Sequence, residues 1–550
     1  MSGTRRPAGV TRPRTAELHP RISIVPLRTY AALGIVAISL SSCGGNSGPS
    51  NTTIAEASNQ TPPDLGASIF NPHNEAATSG LQIIGSTPGE SPFVQKLTLQ
   101  ADDMTDLQSV EFIIQPKAGS ASQAVDVTYS ADALTERNYL SVGSNTLTMP
   151  IYCLYAGYTN RVTLNFSFLD GSKQSLMTSI TTADFTDPTG LYMRPTILKQ
   201  RTAGSSLGFN FFYIKSLLTS PVIVDTDGEL RWASPGVQNS MSSALQGDEF
   251  VIGDQVSARV YRLRLDGSIT TVPLQPSNIT VFYHNIDFGK AGLVGDVNTT
   301  GTAGELNLES TATEFTNQGI ILNQWDMAQI ISNYMTSHGD VAGNFVRPGT
   351  DWFHMNATTY DPSDDTLIVS SRENFLIKLD YKTGNIIWVF GDPTKYWYTF
   401  PSLRAKALTL TSGGLYPIGQ HAVSITADGH LMVFNDGLGS ISQPSGQPAG
   451  ESRTFSAVSA YSINASTMTA TNVWNFEYGQ SIYSEICSSA YFGQQGSLLV
   501  DYAVADNETH ARLVGLDSSH QVAFEFQYPT TSCNTSWNAV PINLENFAIN

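Results

Sequence analysis

The chain is predicted to be all-β, a six-bladed β-propeller preceded by a small N-terminal β-sandwich, and three observations carry that prediction. The composition is turn-rich and sparsely charged, with 45 Gly, 22 Tyr and only 14% Asp, Glu, Lys and Arg, which suits a β-rich globular chain. After about residue 190 a hairpin unit recurs: an apolar strand, an Asp/Asn-Gly or similar turn, then a second strand. It reads VIVDTDGELRW (222–232), YRLRLDGSITTV (261–272), LIKLDYKTGNIIWVF (376–390), SITADGHLMVFN (424–435) and ARLVGLDSSHQVAFEF (511–526). Such turn pairs provide the positive φ that tight hairpins require, and recurrent four-strand units over about 350 residues suit roughly six blades. Helical periodicity hardly competes, Gln324–Met335 being the one short candidate.

The segments follow in order. At 550 residues the chain exceeds one hydrophobic core, so more than one domain is expected. Residues 1–42 read as an export signal. Arg5, Arg6, Arg12, Arg14, Arg21 and Arg28 form a long basic region ahead of the apolar Thr29–Ser42, which is too short to span a bilayer. It ends in Leu40-Ser41-Ser42-Cys43-Gly44, resembling the bacterial lipobox, in which the cysteine takes a diacylglycerol and becomes the new N-terminus. The expectation is a periplasmic protein tethered to the membrane by a lipid at Cys43. Gly44 lacks the carboxylate that favours inner-membrane retention, so the outer membrane is the expected home. Residues 43–80, rich in Ser, Asn, Thr, Pro and Gly, read as a flexible tether.

Residues 81–190 carry short strands such as VQKLTLQA, SVEFIIQP, NTLTMPIYCLY and RVTLNFSFLDG. The alternation Val162, Leu164, Phe166, Phe168 buries one face, so a β-sandwich is expected there. Residues 191–550 form the propeller, whose geometry brings residues distant in sequence to one central channel.

Charge narrows the function. The formal net charge is -18, and removing residues 1–42 leaves 23 basic and 46 acidic side chains, about -23. Such a surface repels phosphate backbones, which argues against nucleic-acid binding; an anionic substrate needs a local positive pocket. Three cysteines remain beyond Cys43 and no CxxC occurs, so a structural zinc site is not expected. Cys487 and Cys533 lie in Ser-rich loops and are the better disulfide candidates; Cys153, in PIYCLY, reads as buried and inert.

Of nine histidines, His19 and His73 lie in the signal and tether, and His338, His430, His510 and His520 sit in polar loops or turns. Three remain: His284 in VFYHNIDFGKAGL, His354 in DWFHMNATTYDPSDDTLIVSSR, and His421 in YPIGQHAVSITADGHLMVFNDG, spaced 70 and 67 residues apart. Each precedes or opens a predicted strand, and one histidine per blade would point all three into one channel. Taken singly, each is more often a satisfied structural residue than a catalytic one. Convergence of the three on Zn²⁺ is the other sharp option, and Arg372 beside them argues against it by repelling a cation. Asp225 and Asp227 are explained by a hairpin turn without calcium.

The segment DWFHMNATTYDPSDDTLIVSSRENFLIKLDYKTGNIIWVFGDP resembles the signature region of the bacterial PAPS-independent arylsulfate sulfotransferases. The stretches HNIDFGKAGL and GQHAVSITADGHLMVFNDG are similar to that family's two other histidine regions, in the same order. The resemblance covers most of residues 190–545, and the N-terminal segment with PIYCLYAGYTNRV is similar to the family's appended β-domain. It implies a six-bladed periplasmic propeller that moves a sulfuryl group from an aryl sulfate donor to a phenolic acceptor, with no cofactor and no metal. It also implies that His354 becomes transiently sulfated, that Arg372 holds the sulfuryl group, that His284 and His421 support the reaction, and that Asn356 lines the site. The cysteines do not match the family's disulfide, so that bridge is not transferred. A homodimer is left open.

The chemistry is consistent with these residue types. A neutral imidazole splits one hard transfer into two easier ones. Arg372 offers a planar fork to the nonbridging oxygens, and its charge should lower the pKa of a neighbouring histidine, keeping the nucleophile unprotonated. A histidine proton donor at the departing phenolate is worth roughly 10²–10⁴-fold; a preorganised donor such as Asn356 adds about 10²-fold. The rival readings are a non-enzymatic propeller lipoprotein acting as a scaffold, a quinone-dependent dehydrogenase, for which no adjacent cysteine pair speaks, and an aryl sulfate hydrolase.

Overall fold

The computed structural model describes residues 80–550 apart from Pro276, Ser277, Thr302, Ala303 and Ser412. The predicted signal, the anchor at Cys43 and all of the tether but its last residue lie outside the described residues. No helix among the described residues is long and apolar enough to cross a membrane.

The described chain is nearly all β, arranged in eight sheets of four or five strands. Two sheets come from its N-terminal part. One runs Gln82–Pro88, Val94–Gln100, Thr146–Tyr152 and Leu140–Ser141; the other contains Val125–Ser130, Leu107–Ile114, Thr159–Phe168 and Lys173–Thr181. Both send apolar side chains, among them Leu97, Leu99, Phe112, Met149, Val162, Leu164 and Phe166, into one shared cluster, as the alternating pattern requires. The last strand of the chain, Phe547–Ile549, joins the second of these sheets in parallel beside Val127–Tyr129. The sequence reading had assigned those residues to the propeller. Ile549 is buried in the N-terminal cluster, an apolar payload that a three-residue tail does not advertise.

Six further sheets follow between Thr196 and Ile542. All five hairpin units are present as antiparallel pairs. In the first, Asp225 Oδ1 accepts the backbone N–H groups of Asp227 and Glu229, at 3.1 and 3.0 Å, and Gly228 takes φ +87°, a conformation open to glycine at little cost. Four sheets are built around consecutive strands. The first is closed instead by Asn538–Ile542 pairing with Phe211–Lys215, and the sixth gains Thr196–Lys199 on Val522–Pro529, so both ends of this region are tied to its own sheets. Strands Ile279–Phe288, Met355–Asp361, Gln420–Ile425, Ser489–Phe492 and Asn538–Ile542 lie against one another in succession, and Ser243–Gln246 packs on the first of them.

The helical candidate Gln324–Met335 is shifted by a few residues: the helix runs Met327–Ser337, and its buried face is Met327, Ala328, Ile331 and Met335. Asp326 caps it, its carboxylate accepting from Gln329 N at 3.1 Å, and residues up to Asp326 pair instead with the strand Leu306–Phe315. A capping Asp satisfies an otherwise orphaned N–H, which fixes the start. Cys487 and Cys533 form a disulfide, and Cys153 is a free, buried thiol.

Candidate active site

Three inner strands from three different sheets position the three histidines: His284 and His421 lie on theirs, His354 immediately precedes Met355–Asp361, and each strand has a break in register close by. Pairing skips between Tyr283 and Ile286, between Met355 and Ala357, and between His421 and Ser424. Backbone φ is +45° at His284, +49° at His354 and +50° at Ala422. A bulge re-aims a side chain that regular alternation would point elsewhere, and left-handed φ at non-glycine residues is costly backbone that clusters at functional sites.

The structure brings His284 and His354 together, with ring centroids 4.7 Å apart. Between them sits a residue the sequence reading missed. Glu309 Oε2 lies 2.9 Å from His284 Nε2 and 3.0 Å from His354 Nδ1. Asp351 Oδ2 is 2.6 Å from the same His354 nitrogen. Trp537 and Tyr283 flank the His284 ring, each with centroids 5.1 Å away.

His421 is set differently. Its Nδ1 donates to the Gly419 carbonyl at 2.8 Å, a contact only the N–H can make, and Asp436 stands 3.9 Å away. Burial, then the Arg372 charge, hold its pKa well below the usual histidine value, so the ring is neutral with its lone pair on Nε2.

Arg372 is 2% exposed and tightly braced. Nη1 donates to Glu373 at 2.8 Å; Nη2 lies 3.1 Å from Asp436 and donates to the Glu485 carbonyl at 3.1 Å. Its backbone N–H donates to the His354 carbonyl at 3.0 Å, which ties guanidinium and imidazole to one turn. Nε has no partner. Burial pushes Glu373 up, but the Arg372 charge and a Ser440 hydrogen bond outweigh it and hold the carboxyl at about 2. Burial dominates at Asp436 and raises it to about 7.

One sequence expectation needs correction. Arg372 was expected to keep His354 unprotonated. Burial does push His354 down, and Arg372 adds to that, but Glu309 and Asp351 outweigh both and raise it to about 9. The neutral imidazole under Arg372 is His421. Asn356, expected as a preorganised donor, uses one N–H of its Nδ2 on the Gln420 carbonyl at 2.8 Å, bracing the strand that carries His421, and its Oδ1 is buried without a partner.

Triple-histidine metal coordination is not what the fold assembles. Among the described residues, the grouping near enough to hold a metal ion is His284, Glu309 and His354, whose ligand atoms lie within 4.8 Å. The 2.9 and 3.0 Å contacts there have the length of N–H···O hydrogen bonds. Asp351 was inside the quoted motif, three residues before His354, and could have been found by asking what holds that ring. Glu309 gave one faint signal, an acidic residue inside a strand pattern, in LNLESTATEF.

Comparison with known proteins supplies the context. The family model described as Arylsulfotransferase (ASST) matches residues 197–538, more than half of the chain. Similar curated proteins are the arylsulfate sulfotransferases AssT of Escherichia coli O6:H1, 29% identical over 170 residues, and of Lelliottia amnigena, 28% identical over 188 residues. The matched stretches cover 28% and 30% of this chain and 27% and 30% of those relatives. Among solved structures, the β-propeller domain of Cps50 (Swd1) from Myceliophteria thermophila aligns with a TM-score of 0.32 at 10% identity, covering 58% of this chain and 86% of that one. The RRP9 WD40 repeats align with 0.32 at 9% identity, covering 62% and 86%.

Proposed function

Because this chain belongs to the arylsulfotransferase family, we propose that it transfers a sulfuryl group from an aryl sulfate ester to an acceptor phenol through a sulfated histidine, and that this histidine is His421. The observation that carries the assignment is the tautomer of His421: Nδ1–H committed to Gly419, Nε2 unprotonated, beside the Arg372 guanidinium. His354, the candidate from sequence, holds its proton between two carboxylates and suits an acid better than a nucleophile.

In the first half-reaction His421 Nε2 attacks sulfur and the S–O bond to the phenol breaks. The departing phenolate oxygen takes the proton of His354 Nε2–H. In the second, an acceptor phenol returns a proton to His354 as its oxygen attacks sulfur and the S–N bond breaks. Arg372 and the neighbouring imidazolium stabilise the charge on the transferring group. No metal or cofactor enters either step.

The same reading extends to architecture and location. The six sheets between Thr196 and Ile542 are the blades of a closed propeller, the two N-terminal sheets are a sandwich, and a lipid on Cys43 holds the protein on the periplasmic side of the outer membrane.

The test of the chemistry is a burst experiment. Donor alone should release one phenol per site and add one SO₃ group to the His421 peptide, and initial-rate plots at several acceptor concentrations should be parallel. An adduct on the His354 peptide would restore the sequence-based assignment. Intersecting plots without any adduct would mean direct transfer.

A further inference from the structure

Glu309 is placed by unusual means. It lies on Leu306–Phe315, the third strand of its sheet, where regular geometry would not bring a side chain to the inner strand's histidine. Its backbone takes φ +44°, the pairing with the neighbouring strand skips between Val297 and Thr299, and its N–H is held by Asn298 Oδ1 at 2.7 Å. The side chain is 10% exposed and one oxygen faces both imidazoles. A buried carboxylate is retained where its charge is needed, since desolvating it is costly unless paired.

From this geometry we infer that Glu309 is a positioning residue for proton transfer: it locks His284 and His354 into one unit and makes His354 the group that lends a proton to the departing phenolate and reclaims it from the acceptor. The inference rests on the sulfuryl-transfer reading. His284 is the inner brace. Burial lowers its pKa, so its Nε2–H reaches Glu309 as a neutral donor and adds no second positive charge. Facing His354 are Asp351 from its own segment, Glu309 and His284 from the third sheet, Arg372 from the fourth and His421 from the fifth; Glu373 and Tyr283 stand behind them. Of the two carboxylates on Nδ1, Asp351 is 39% exposed at the side chain and screened by water; Glu309 is not, and acts at nearly full strength.

The proton balance follows. His354 Nε2–H passes its proton to the phenolate oxygen as the S–O bond breaks, leaving a neutral ring whose Nδ1–H remains on the carboxylates. The acceptor's hydroxyl proton later returns to Nε2 as the S–N bond breaks. Glu309 is unchanged throughout.

The experiment is a series of aryl sulfates whose phenols span a wide range of acidity, assayed with wild-type and Glu309→Gln protein and one fixed acceptor. With strongly acidic phenols, which leave unaided, the variant should lose less than about tenfold in kcat/KM. With weakly acidic ones the loss should approach the roughly 10²–10⁴-fold value of general acid catalysis. A uniform loss across the series would reduce Glu309 to a structural brace and overturn the inference. Should the variant not fold, NMR titration of the wild-type His354 imidazole, without substrate, decides the matter: a proton retained above pH 8 is expected, and titration at or below the ordinary value near 6.5 overturns it. If His354 keeps its proton but no aryl sulfate turns over, the functional reading fails and the pairing stands.

Discussion

His354 and His421 are the same amino acid pushed in opposite directions, one by the carboxylates at its Nδ1 and the other by burial beside a guanidinium. Two carboxylates raise His354 to about 9, against its burial; burial and Arg372 depress His421. The pH dependence follows with a definite sign. The proposed mechanism requires His354 protonated, so kcat/KM of the free enzyme should be sustained below pH 9 and fall as pH rises through about 9. It requires His421 neutral, so the acidic limb should lie below 6.5. A profile already falling near pH 7 on its alkaline side would contradict this assignment of acid and nucleophile. Arg372→Lys should be poor, since an ammonium cannot hold Glu373, Asp436 and the Glu485 carbonyl with one planar group. Loss of at least about tenfold in kcat/KM is expected, with the His421 pKa rising because the geometry of the adjacent charge is lost. The three histidines and Arg372 were legible because each stands in a distinctive local segment. Glu309 was not, because its role comes from a bulge on another strand, and strand register is not written in a single run of residues.

The elements were read more reliably than their ends. Hairpins were legible because each couples period-2 alternation to a turn with positive φ, two signals in one short segment. Asp326 shows how an end is missed: it closes a strand and caps a helix, so periodicity alone starts the helix too early. Asp326→Ala should cost about 1 kcal/mol, read as a lower denaturation midpoint with unchanged m-value. Cys487 and Cys533 connect two segments that each touch the site: Glu485 accepts from Arg372, and Trp537 lies against His284. Replacing both cysteines by Ser should therefore lower stability by roughly 3–4 kcal/mol in the chain-entropy model for a separation of 46 residues. It should also lower kcat, measured at a temperature where the variant remains folded. Unchanged kcat would mean that the two segments hold their positions without the bridge.

At the scale of the molecule, the formal net charge is -18, and the Arg372 cation beside His421 is buried and paired with Glu373 and Asp436. Fold class was legible from repetition, while the way the chain ends was not. Cys43→Ala should move the protein out of the membrane fraction, and labelled palmitate should enter wild type but not the variant. The terminal strand Phe547–Ile549, paired with Val127–Tyr129, has a consequence for the timing of folding. An N-terminal domain ordinarily completes itself while the rest of the chain is still being made. Here the sheet lacks a strand until residues 547–549 have left the ribosome, so a sheet begun at Leu107 is finished only after the six sheets between Thr196 and Ile542 have been made. A chain stopped before Phe547 keeps all six sheets between Thr196 and Ile542 yet leaves an open sheet edge, and it should be cleared by proteolysis faster than the chain that includes Phe547–Ile549.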